Sequence, residues 1–163
     1  MGFRLMTMNT QQRFERFEHN FAAFVGGDLT RSEDVINTCQ DFYRHMTSSL
    51  ENLMISIPVL SDEDLEQRID DLEANEKMIN KAYKPLRKRA ENKLVKAASY
   101  SPHRRGEVES VLNHFLSHSY SIVEIMRDTR MALVCVLSER QKDHPPVATF
   151  REGDNFDEVF DSL

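Results

Sequence analysis

The chain is short of the residues that make turns. Its 163 residues include five glycines and five prolines, about half of what an average usage of roughly 12% for the pair would supply. A many-stranded β protein needs frequent tight turns, so its scarcity of Gly and Pro points to long helices instead. Cysteine occurs twice, at Cys39 and Cys135. Both lie in helical patterns without metal or redox spacing, which excludes a disulfide scaffold and leads us to expect two free, buried thiols in a reducing compartment. Long apolar runs are missing too. The most apolar window, 120–137, contains Glu124, Arg127, Asp128 and Arg130, so it falls short of the roughly eighteen uncharged residues of a membrane span. The first seven residues hold no apolar run of signal-peptide length, and Met6 stands where a myristoylation signal has Ser or Thr. The chain is expected to be cytoplasmic and not to act at a membrane.

What is present is a helical code. An apolar content of 40% and a charged content of 29% describe one soluble, folded domain. Phe14, Phe17, Phe21 and Phe24 recur at helical spacing over about 11–25 and form one stripe, read as core, before Gly26-Gly27 stops the helix. Thr30 and Glu33 resemble a capping box for a second helix that carries Val35, Cys39, Phe42, Met46, Leu50, Met54 and Ile57 up to Pro58. Ser61, followed by three acids, is a strong helix start. From there Leu65, Ile69, Leu72, Glu76, Ile79, Tyr83, Leu86 and Ala90 alternate steps of four and three, as a heptad seam does. Pro85 falls within it, where we expect a kink rather than a new helix. Ser101-Pro102 opens the last helix, with a seam from Val108 through Leu112, Phe115, Ser119, Ile122, Met126, Thr129 and Leu133 to Val136. A second apolar row, Val111, Leu116, Val123 and Leu137, marks it as the central helix.

Folding these two rods back on each other near residue 101 levels positions that sum to about 202. Tyr83 then falls near Ser119, Glu76 near Arg127, Glu73 near Arg130, Asp62 near Arg140 and Lys93 near Glu109. The hairpin is about 57 Å long at 1.5 Å per residue, against roughly 22 and 38 Å for the first two helices. Either those two lie end to end along it or a second copy covers part of it, so a homodimer is expected. The fold class is therefore all-α: a helical bundle of one domain, 1–144, built on a long antiparallel helical hairpin with two shorter N-terminal helices. His144-Pro145-Pro146 ends the helical region. The acidic tail, 145–163, is expected to be flexible, with Phe156, Val159, Phe160 and Leu163 as a partner-binding stripe.

Charge is distributed unevenly. Between 77 and 105, ten basic residues against Glu91 alone give +9, which leaves −15 on the rest of a chain whose total is −6. Lys84, Arg87, Lys88, Arg89, Lys93, Arg104 and Arg105 are the candidate anion- or nucleic-acid-binding residues. The bland reading is a solvated face that suits the C-terminal end of its own helix. His114 and His118, four apart, have the geometry to share a metal from one helix. We read His114 as solvent-facing and His118 as part of a hydrogen-bonded patch with Ser119 and Thr129 that sets register, and assign no metal. Glu76 is the single acid in an apolar seam, read as a register-setting partner of Arg127. With no Gly-rich phosphate loop, no nucleophile elbow and no activated thiol, neither an enzyme nor a cofactor is expected. The expected role is non-catalytic: an accessory or regulatory protein that binds a protein partner through its helical surface. The alternatives are nucleic-acid binding through the basic segment and an acidic immunity or inhibitor function.

Overall fold

The computed structural model describes residues 8–143. These form four α-helices: α1 (Met8–Val25), α2 (Ser32–Ser56), α3 (Asp62–Ala97) and α4 (Pro102–Asp143). Among the described residues the fold is all-α, without a strand. The expected stripe of Phe156, Val159, Phe160 and Leu163 lies outside the described residues.

Each helix start and stop has a local cause. α1 ends where Gly27 takes φ +118°, a backbone conformation that L side chains rarely adopt and glycine does. The Asp28 N–H then donates to the Ala23 carbonyl at 3.0 Å and satisfies one of the last free acceptors. The start of α2 departs from the expected capping box. Asp28 accepts from the Thr30 amide at 3.1 Å and caps a short 3-10 turn over Leu29–Arg31, so Thr30 is engaged before α2 begins at Ser32. The shorter Asx turn wins because its acceptor lies only two residues away. Ser61 caps α3 as its sequence predicts, accepting from the Asp64 amide at 3.1 Å, with Asp62, Glu63 and Asp64 in the first turn. α3 runs through Pro85 as one helix, with Pro85 exposed on its outer side.

Side-chain pairs fix the topology. Thr10 Oγ1 lies 2.7 Å from His45 Nε2 while Arg13, further along α1, pairs with Asp41, earlier in α2, so α1 and α2 are antiparallel. Ser32 donates to Glu107 at 2.8 Å, and Tyr43 lies edge-on to His118 at 4.7 Å. Both pairs are 75 residues apart, so α2 and α4 run parallel in constant register. α3 and α4 pack antiparallel, with Arg127 and Arg130 both on Glu76 at 3.1 Å and Arg140 on Asp62 at 3.3 Å.

Two of the expected hairpin pairs do not form. Glu73 pairs with Lys77 in its own helix while Glu76 takes both arginines, and Glu109 pairs with Arg105 while Lys93 turns to Tyr100. Glu73 and Glu109 each take a basic neighbour four residues away on their own helix, as adjacent positions on a helix face allow. Ser119 accepts from Arg87, and the Tyr83 ring faces Phe115 at 5.9 Å. Nor do the first two helices lie end to end: they pack side by side. Arg140 closes the α2–α3 turn, donating to the Ile57 and Leu60 carbonyls at 2.8 and 2.7 Å.

The core is centred where the helices meet around the phenylalanine stripe. Phe14, Phe17, Phe21 and Phe24 are all buried, as are Phe42, Tyr83 and Phe115. Ring separations such as Phe21–Phe115 at 4.8 Å and Phe14–Tyr83 at 5.5 Å make one aromatic cluster, whose edge and offset geometry adds to simple burial. Ser119 and Thr129 fill their seam positions as buried small polar residues. No helix in the described residues is long and apolar enough to cross a membrane.

Candidate functional site

The seven basic residues expected to form one anion site do different things. Arg87 is structural: 8% exposed, it donates to Ser119 Oγ and the Ser119 carbonyl at 3.0 Å each and to Asn80 Oδ1 at 2.8 Å. Its guanidinium lies 4.1 Å from the Tyr120 ring centroid and 5.2 Å from that of Tyr83. Burial lowers its pKa from the usual value, an effect that the neighbouring tyrosines and Glu91 oppose, and an arginine stays charged regardless. Burial also raises the Tyr83 phenol well above its ordinary range. Arg105 is paired with Glu109 at 2.7 Å, and Arg89 leans over Phe21 at 6.0 Å.

Lys93 and Arg104 flank Tyr100 at 5.5 and 4.4 Å, and the hydrogen bond from Lys93 holds the Tyr100 phenol below its usual pKa. Lys84 and Lys88 belong to a separate surface. With Lys77 and Lys81 they make a stripe at i, i+4, i+7 and i+11, which borders a shallow groove of about 850 Å³ together with Asn80, Glu91 and Tyr120. Lys81, Lys84 and Lys88 form no ion pair among the described residues. The +9 segment thus divides between a lysine stripe on α3 and a cluster around Tyr100 at the α3–α4 turn.

A second groove, of about 640 Å³, runs along the outer junction of α2 and α4. Tyr43, Leu50, Met54, Ile55 and Ile125 line it, together with Thr47, Glu51 and Thr129. Ile55 is 76% exposed and Met54 38%. The sequence placed Met54 in the apolar stripe of its helix. Ile55 lies off that stripe, where one apolar residue carries no periodic signal. A third cleft, of about 610 Å³, lies between α2 and α3 and is lined by polar residues such as Asn52, Arg68, Asp71 and Asn75 around Leu53 and Leu72. Glu76 is 13% exposed and fully engaged by its two arginines, so it sets register as its sequence position predicts.

The histidines and cysteines depart from expectation. Cys135 is exposed rather than buried; Cys39 is buried. His114 is half-buried and does not face solvent, because the parallel register of α2 and α4 brings it level with Cys39. His118 donates from Nδ1 to the His114 carbonyl of its own helix at 2.8 Å, and has no bond to Ser119 or Thr129, each of which is satisfied elsewhere. Cys39 Sγ and one nitrogen from each of His114 and His118 all lie within 4.8 Å of one another. Burial pushes the Cys39 thiol up to about 12, and burial followed by the nearby His118 lowers His114 below its usual 6.5. Sequence spacing showed the histidine pair, but the third member needed the register between two helices.

No family model matches the chain. No curated protein and no solved structure matches it either.

Proposed function

We propose that this chain is a non-catalytic regulatory or accessory module that binds a protein partner through the groove between α2 and α4. The observation that supports it is an open groove whose lining includes the exposed apolar side chains of Ile55 and Met54. Exposed apolar side chains that line a concave strip between two helices suit the apolar face of an amphipathic helix, in the helix-in-groove mode. Glu51 in the lining favours a basic residue on the arriving helix. The lysine groove supports a second reading, nucleic-acid binding, since unpaired lysines beside Tyr120 offer charge for phosphates and a ring for stacking. The acidic-inhibitor alternative rests on the −15 balance alone and ranks below both.

The test compares three full-length proteins as bait in lysate of the source cell: the parent, Ile55→Glu, and a triple Lys81→Glu, Lys84→Glu, Lys88→Glu variant. Ile55 is so exposed that its substitution should leave stability within about 0.5 kcal/mol. The proposal expects one partner at fixed stoichiometry on the parent and on the lysine variant, and its loss from Ile55→Glu. Loss confined to the lysine variant, with nuclease-sensitive material, would move the function to the basic groove. Retention by all three would overturn the groove assignment. Recovery of a second copy of this chain would identify the partner as itself and give the expected homodimer. Truncation after His144 assigns any contribution of Phe156, Val159, Phe160 and Leu163.

A further inference from the structure

We propose that Cys39, His114 and His118 form a binding site for a zinc-like divalent metal ion held between α2 and α4, with the Cys39 thiolate and one imidazole nitrogen from each histidine as ligands. This goes beyond the partner-binding reading and stands independently of it.

Three observations converge. The ligand atoms already lie within 4.8 Å of one another. A tetrahedral zinc with bonds of about 2.3 Å to sulfur and about 2.0–2.1 Å to nitrogen needs them roughly 3.3–3.6 Å apart. Small side-chain rotations close that gap without moving a helix. Second, His114 Nε2 is buried and has no hydrogen-bond partner, an arrangement that proteins rarely leave standing. Its ring lies 4.0 Å from that of His118, so neither imidazole supplies a good in-plane partner for the other. A metal ion would take up the lone pair of each. Third, His118 is already oriented. Its Nδ1 lies 2.8 Å from the His114 carbonyl, which places the proton on that nitrogen and leaves Nε2 as a free donor to metal. The Tyr43 ring stands edge-on to His118 at 4.7 Å and walls the site on that side.

The donor set selects the metal. One thiolate and two imidazoles suit zinc and its softer neighbours, whereas magnesium and calcium demand oxygen ligands. Three protein ligands leave a fourth position for water. Binding exchanges the thiol proton for the ion: the S–H bond breaks, the S–metal bond forms and the proton leaves to solvent. Because Cys39 and the histidines come from helices 75 residues apart in register, the ion would clamp α2 to α4 beside the aromatic core.

Cobalt(II) is the probe, since its thiolate complexes absorb through sulfur-to-metal charge transfer. The untagged full-length protein carries Cys135→Ser, so that Cys39 is the sole thiol. Titration is expected to saturate at one equivalent with a sulfur charge-transfer band and intense tetrahedral visible bands, all bleached by zinc. Cys39→Ser should abolish the sulfur band. His114→Ala and His118→Ala should each weaken cobalt affinity about tenfold or more, since even second-shell changes cost that much. His19→Ala, on the exposed side of α1, should leave affinity unchanged. No sulfur band on the Cys135→Ser protein would overturn the proposal, and so would affinity unaffected by His114→Ala. Should Cys39→Ser fail to fold, Cys39→Ala and the two histidine variants still decide the matter.

Discussion

Replacing Arg87 with Ala would separate structural charge from available charge within the basic segment. The side chain makes three hydrogen bonds of 2.8–3.0 Å, two of them to Ser119 across the α3–α4 hairpin, and lies against two tyrosine rings. A hydrogen bond to a charged group contributes about 1.5–3 kcal/mol and a partly desolvated cation–π contact about 0.5–2 kcal/mol. These do not add, because one guanidinium serves them all and its own desolvation opposes them. A net loss of about 3 kcal/mol follows. For a chain of this size that lowers the thermal midpoint by roughly 6–12 °C. Arg87→Lys keeps the charge but not the planar fork, so it should recover less than half of the loss. Lys84→Ala and Lys88→Ala, three residues before and one after it and both exposed, should stay within about 0.5 kcal/mol of the parent. The assay is calorimetric or circular-dichroism melting of all four variants in one buffer. An Arg87→Ala midpoint within about 1 °C of Lys88→Ala would refute the structural assignment.

Four further outcomes follow from the same geometry. Gly27→Ala should cost about 1–2 kcal/mol, because φ is +118° there and strain alone opposes a side chain in otherwise open space; chemical denaturation reads it. Gly106→Ala, inside α4 with nothing within 4 Å of the new methyl, should instead stabilise by about 0.5–1 kcal/mol in the same assay. Glu76→Gln should cost about 1 kcal/mol and reduce the salt dependence of stability, the modest size reflecting the half-exposed Arg127. Burial holds the His45 pKa below 6.5, while its Nε2 stays 2.7 Å from Thr10 Oγ1. The unfolded chain therefore takes up this proton first. The associated stability is fully present above about pH 6.5 and is lost as pH falls through the lower folded value, and His45→Gln should flatten that part of the stability–pH curve.

Much of the fold was legible because it is written in period and punctuation. The phenylalanine stripe of α1 is buried, and the seams of α3 and α4 are buried or partly buried, where their 3–4 spacing puts them. Ser61 and Gly27 mark ends by chemistry that acts within a few residues. The hairpin register also came through, in Glu76–Arg127 and Asp62–Arg140. What failed was the competition among partners for a long charged side chain: Glu73 chose Lys77, and Arg87 turned inward to Ser119. Patterns mark which residues are basic, not which of them a neighbouring helix will bury. The Cys39 cluster and the Ile55 groove were hidden for a different reason. Both depend on α2 running parallel to α4, a relation between segments 75 positions apart that no local signal records.

The central claim, a groove that receives a partner's apolar helix, is tested most directly by the affinity of the captured partner for the parent, Ile55→Glu and the lysine triple variant at low and high salt. The account predicts that Ile55→Glu weakens binding at least tenfold at both salt concentrations, while the lysine variant binds as the parent does. Affinity that falls steeply with salt in the parent, collapses in the lysine variant and ignores Ile55→Glu would contradict it.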